Sequence, residues 1–160
     1  MGYPYFIKTE LEDWMENFNF STAIKIRFGE TDAFGHVNNV SYFTYFEQAR
    51  LDYLEHLGLI ERFLNHSSGH VLVTANLECH YLSQLHYGQK IDLFVRTVKI
   101  GNSSFELEYA VQEKNSGSIA AVGRGTIVYF DQKNNKSHVI PEDIKEIITQ
   151  YEDDKQTENV

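Results

Sequence analysis

Phe28-Gly29-Glu30-Thr31-Asp32-Ala33-Phe34-Gly35-His36-Val37-Asn38-Asn39-Val40-Ser41-Tyr42 is the stretch on which the reading of this chain turns. It leaves a β-type run, presents a carboxylate at Asp32, turns through Gly35 and opens an amphipathic helix. From about Asn39 to Leu57 the apolar residues Val40, Phe43, Phe46, Leu51, Leu54 and Leu57 recur at three- and four-residue steps, and Gly58 stands where a C-cap belongs. A helix start carries backbone N–H groups without partners and about half a positive charge. Such a place is preformed to receive a developing oxyanion. A carboxylate a few residues ahead of it can attack a carbonyl or activate water. Taken alone, Asp32 reads first as a cap or turn residue, since Asp and Asn both favour helix starts. Its setting, with Gly35, His36 and two asparagines between apolar runs, favours chemistry.

Working outward, Ile7, Leu11, Trp14, Met15 and Phe18 have near-helical spacing, which predicts a short leading helix over 7–18. Residues 20–28 alternate in part and predict a first strand. After an irregular or short helical connection at 59–69, strands are expected near 70–82, 89–100, 103–114 and 118–130. Gly88, Gly101-Asn102, Asn115-Ser116-Gly117 and Asp131–Asn135 punctuate them. Phe105, Leu107, Tyr109 and Val111 alternate with Glu106, Glu108, Ala110 and Gln112, as a half-buried strand requires. Pro141 opens a final helix through about Gln150. Strand, long helix and four long strands predict an α+β fold, an antiparallel sheet of about five strands curled around one central helix. The expected organisation is a helical extension at 1–19, one domain at 20–150, and an acidic, disordered tail at 151–160.

The 160 residues suit one domain with a real core. The formal net charge of -9 argues against non-specific nucleic-acid binding, which needs a basic surface. Cys79 is the single cysteine, which precludes an intrachain disulfide and a cysteine-rich metal site. No apolar run approaches membrane-spanning length, and Lys8, Glu10, Glu12 and Asp13 occupy the place of a signal-peptide core. The expectation is therefore a cytoplasmic protein that does not insert into membranes.

Asp32-Ala33-Phe34-Gly35-His36-Val37-Asn38-Asn39, with Tyr42 and Tyr45-Phe46-Glu47-Gln48-Ala49-Arg50 behind it, resembles the 4-hydroxybenzoyl-CoA thioesterase family of hotdog-fold proteins. The likeness continues through Tyr81 to Gly88, Ser104-Phe105, Arg124-Gly125 and Ile140-Pro141, covering about 20–148. The resemblance implies a hotdog fold and a homodimer, often paired again into a homotetramer. It implies hydrolysis of acyl-CoA or acyl-carrier-protein thioesters, without metal or redox cofactor, at sites between subunits. By resemblance Asp32 is the catalytic carboxylate, nucleophile or general base, and the Asn39 backbone N–H holds the thioester oxygen. Asn38, Val37 and Gly35 shape that turn.

Other candidates divide between chemistry and structure. His36 reads as a turn histidine that also meets ligand, and catalysis does not rest on it. Glu47 is the runner-up carboxylate, because another hotdog branch uses a glutamate on the central helix. At three-residue spacing it is expected rather to pair with Arg50. Tyr42, Phe43 and Phe46 are read as core residues that also line the acyl pocket. His70, His80 and His86 are too widely spaced for a zinc motif. Arg96, Lys99 and Arg124 are the candidate contacts for coenzyme A phosphates. The family's best-known type has basic residues just before the Ser-Phe pair, where this chain has Gly101-Asn102-Ser103. The sequence thus predicts an acyl-CoA thioesterase. A non-catalytic acyl-CoA or acyl-carrier-protein binding module, an acyl-carrier-protein thioesterase and a hotdog dehydratase are the rivals.

Overall fold

The computed structural model describes residues 2–154. Its sheet is built from β1 (Phe20–Lys25), β2 (His70–Tyr81), β3 (Lys90–Ile100), β4 (Ser104–Glu113) and β5 (Ile119–Asp131), in the order β1-β3-β4-β5-β2. All pairings are antiparallel, and a two-residue β6 (Lys136–Ser137) adds to the end of β5. The four long strands lie within one residue of their predicted limits at each end. β1 is shorter than expected, because Phe28–Glu30 closes into a 3₁₀ turn. There the Glu30 carboxylate accepts from the Arg27 backbone N–H and from its guanidinium, each at 2.9 Å.

The helix α2 (Ser41–His56) lies against the concave face and touches β1 and β2, the two edges of the sheet, as well as β3. This is the curled arrangement the sequence predicts. Period-two alternation turns Ile91, Leu93, Val95, Phe105, Leu107, Tyr109 and Val111 inward, where they meet Tyr45, Phe46, Ala49 and Tyr53 of α2. Burying each large side chain contributes about 1.5–3 kcal/mol. Phe46, read as a core residue that also lines the acyl pocket, lies in the core: it is 1% exposed and stacks on Tyr109 with ring centroids 4.8 Å apart, and it is not among the residues lining the Asp32 hollow. It also presses on β5. A Cβ at Gly123 would lie 2.5 Å from its ring, closer than side chains approach, so glycine is what lets the helix sit this low.

At its C-terminal end α2 closes with a Schellman motif. Gly58 adopts φ 73° and donates to the Glu55 carbonyl at 2.9 Å, while Leu59 N–H donates to Leu54 O at 2.8 Å. Leu54 and Leu59 are both buried beside it. A short α3 (Ile60–Leu64) then leads to β2.

The leading helix is shorter than predicted: α1 spans only Leu11–Met15. The segment nevertheless docks. Phe6, Ile7, Trp14 and Phe18 pack on Ala110 and Val122, the residues that alternation places on the convex face. Trp14 Nε1–H donates to buried Glu108 at 2.9 Å. Glu108 also meets Arg96 at 2.7 Å and Arg124 at 3.6 Å, and Glu106 pairs with Arg124 and with Lys99.

The C-terminal tail expected from residue 151 is in part helix. α4 runs from Glu142 to Asp153 because Glu152 has partners: its carboxylate accepts from the Tyr53 hydroxyl and from the Thr97 N–H at 3.0 Å. Tyr151 and Asn19 exchange hydrogen bonds as well. Residues 155–160, the rest of that tail, lie outside the described residues. Among the described residues no helix is long and apolar enough to cross a membrane.

Candidate active site

The segment between β1 and α2 folds on itself before the helix begins. Asp32 N–H donates to His36 O at 2.9 Å, and Gly35 N–H returns to Asp32 O at 3.1 Å. This needs the φ of 83° that Gly35 adopts without strain. The loop is fastened at three points: Val37 N–H to Leu85 O, Asn38 N–H to Glu30 O, both 2.8 Å, and His86 Nδ1 beside Gly35 O at 3.1 Å. Buried Val37 plugs it into the core. Glu30 is held by Tyr45 as well, whose hydroxyl donates to it at 2.8 Å. Burial opposes ionisation of Glu30, but the Arg27 and Tyr45 hydrogen bonds prevail and lower its pKa.

Asn38 does the capping. Its side-chain oxygen accepts from Val40 N–H at 3.1 Å and its carbonyl from Ser41 N–H at 2.9 Å. Asn39 N–H, between them, donates to no acceptor among the described residues, while Asn39 O accepts from the Tyr81 hydroxyl at 2.8 Å. Asp32 is exposed; one carboxylate oxygen accepts from Phe34 N–H at 2.9 Å, and the other has no hydrogen bond among the described residues.

Asp32, His36, Val37, Asn39 and Tyr42 line one hollow of about 320 Å³. Its remaining wall is the end of β2 and the loop after it, Tyr81 to Gln84. Tyr81 meets Tyr42 edge-on with centroids 5.0 Å apart. Burial pushes both phenols up to about 12, so each stays a hydrogen-bond donor at neutral pH. His36 packs edge-on against His86 at 5.1 Å.

The other expected residues are elsewhere. Glu47 is exposed and makes no ion pair with Arg50, which reaches across to the Tyr109 hydroxyl at 3.3 Å. The helical spacing is right, but the half-buried Arg50 turns inward to the Tyr109 phenol while Glu47 points to solvent. Arg96, Lys99 and Arg124 are all engaged by Glu106 and Glu108 on the convex face, and none lines the hollow. His70 and His80 have local partners, Tyr129 and Glu78. Among the described residues no group of three or more His, Cys, Asp and Glu side chains is placed to hold a metal ion. The family likeness runs through Tyr81 to Gly88, but sequence reasoning named no site residue in the wall from Tyr81 to Gln84, which lies far along the chain from Asp32.

Residues 26–148 match the thioesterase-like superfamily, and the chain belongs to it. It is 31% identical over 137 residues to the uncharacterised protein YsmA of Bacillus subtilis, covering 86% of this chain and 90% of that one. A thioesterase of Thermus thermophilus, solved with coenzyme A and Zn, superposes with a TM-score of 0.73 at 33% identity, over 86% of this chain and 98% of that one. The long-chain acyl-CoA thioesterase FadM of Escherichia coli is 25% identical over 129 residues, 81% of this chain and 96% of its own. The fold is the hotdog fold of these proteins, and the chain is a thioester hydrolase.

Proposed function

We propose, from that membership and from the start of α2, that the chain hydrolyses acyl-CoA thioesters with Asp32 as its carboxylate. The observation that carries this is one hollow lined by both Asp32, an accessible carboxylate, and Asn39, a helix-start residue whose N–H has no protein partner among the described residues. The thioester oxygen sits at Asn39 N–H, where the helix dipole and the free donor favour negative charge as the carbonyl becomes tetrahedral. Tyr81, bonded to Asn39 O, holds the next peptide unit and steadies Asn39 from its other side. Asp32 then acts in one of two ways. As nucleophile it displaces the thiolate and forms an acyl anhydride, which water opens. As general base it takes a proton from the attacking water, and that proton ends on the departing sulfur. A thioester suits either route, because sulfur conjugates weakly with its carbonyl. The motif from Asp32 to Arg50 supports a place near the 4-hydroxybenzoyl-CoA branch within the superfamily.

The sheet ends at β2, whose outer edge has no partner strand among the described residues and exposes Val73. A long free edge favours pairing with another strand, which supports a homodimer formed through β2.

Free-thiol release from a panel of acyl-CoAs tests the reading. Asp32→Asn should lower turnover about a thousandfold, in the range a positioned acid–base group supplies, with little change in melting temperature. Glu47→Gln should matter far less. Loss on the Glu47 change with Asp32→Asn active would overturn the assignment. Binding without thiol release by the wild type would point to a binding module or a carrier-protein substrate.

A further inference from the structure

The N-terminal segment, which lies outside the superfamily match, does more than cover the sheet. Between it and the end of β2 is a cleft of about 1030 Å³. Tyr3, Pro4, Leu11 and Met15 form one side, and Leu82 and Ile119 belong to the other. Tyr81 and Leu82 line this cleft and the Asp32 hollow alike, so the two meet at that ridge. Both ridge residues are large and exposed, Tyr81 by 46% and Leu82 by 39%.

Three observations say what would occupy it. First, within one subunit the described residues leave no room for a chain between α2 and the sheet. Phe46 fills that space against Tyr109 and Gly123, and the gap beside Arg50 and Tyr53 measures only about 10 Å³. That is barely the space one water needs. Second, among the described residues the cleft's lining includes no lysine or arginine, and Glu12 puts a carboxylate there. The phosphates of coenzyme A are therefore disfavoured, and the uncharged half of the substrate is not. Third, the cleft adjoins the carboxylate that the reaction needs. We propose that this cleft, built by the N-terminal segment, takes the acyl chain of a medium- or long-chain thioester whose carbonyl sits at Asp32. The proposal rests on the thioesterase reading above.

The test compares dodecanoyl-CoA with butyryl-CoA in full-length protein. Each methylene taken from water into the cleft should improve binding about fourfold, so the wild type should favour the longer substrate in kcat/KM. Ser118→Trp places bulk at an exposed lining position without touching the core, and Leu11→Glu places charge in the apolar wall. Each should lower the dodecanoyl-to-butyryl ratio tenfold or more. Calorimetric binding of dodecanoyl-CoA and of coenzyme A to Asp32→Asn protein, with and without Ser118→Trp, gives a second readout that needs no turnover. The acyl form should bind at least tenfold tighter than coenzyme A, and Ser118→Trp should abolish that advantage. A ratio within twofold of wild type in a cooperatively melting Ser118→Trp protein would overturn the proposal, as would equal binding of the acylated and free coenzyme. Failure to hydrolyse any thioester while the acyl advantage in binding persists would sink the catalytic reading and leave the cleft assignment standing.

Discussion

The two ends of α2 are built on opposite plans. At the C-terminal end the turn is closed: Gly58 and Leu59 return their N–H groups to Glu55 and Leu54, and two leucines seal it. Nearby, Tyr53 ties the helix to Thr97 and Glu152. At the N-terminal end Asn38 caps two donors, yet Asn39 N–H stays open beside an exposed carboxylate. Helix ends are ordinarily satisfied where they are buried. The difference teaches which end the fold closes for stability and which it leaves with an open donor, as the proposed oxyanion site requires.

The sharpest way to break this contrast is to remove the open donor itself. Asn39→Pro deletes that N–H at a place where a helix start tolerates proline. Turnover of acyl-CoA should drop about a hundredfold or more, the usual effect of losing an oxyanion donor. Asn39→Ala, which keeps the N–H, should lose an order of magnitude or less, and steady-state kinetics on the pair separates backbone from side chain. The closed end should answer in stability alone. Gly58→Val forces a branched residue into the left-handed region at a cost of about 2 kcal/mol, and thermal melting should fall by about 5 °C with kcat unchanged. Asn38→Ala stands between the two: losing a cap costs about 1 kcal/mol, so melting should fall by about 3 °C and turnover should fall with it.

The smallest effect concerns Glu152. Burial raises its carboxyl pKa, against the hydrogen bonds from Tyr53 and Thr97. A carboxyl whose folded pKa is raised adds stability below its unfolded pKa and loses it as pH climbs through the folded one. Glu152→Gln keeps an acceptor without the charge. It should melt about 2 °C above wild type at pH 8, and the gap should close below pH 4. A constant gap across that range would mean the side chain acts through packing only.

The fold was legible because its long elements carry strong periods. Alternation in β4 and the three- and four-residue steps of α2 are each enforced by burial on one side only. What escaped was decided by neighbours distant in sequence. Phe46 and Tyr42 share the aromatic pattern of one helix, but Gly123 of β5 makes the room in which Phe46 sinks into the core. Glu47 and Arg50 have pairing distance in the chain, and Tyr109 takes Arg50. Arg96 and Arg124 look like free cations until β4 brings Glu106 and Glu108 alongside. Asp32, His36, Val37 and Asn39 do meet in one hollow, because the loop that holds them is local. Its far wall at Tyr81 comes from pairing of β2 with β5, which no window of sequence around Asp32 contains.

Trp14 is the chain's one tryptophan, and it sits in the docked N-terminal segment, 3% exposed, with its indole N–H on Glu108. The tyrosines of the helix–sheet interior are separate from it. The protein therefore carries a built-in optical probe for one part of itself. Tryptophan emission registers release of the segment, and tyrosine ellipticity registers loss of the interior. Two unfolding curves that separate would mean the segment lifts away while the rest of the domain still holds.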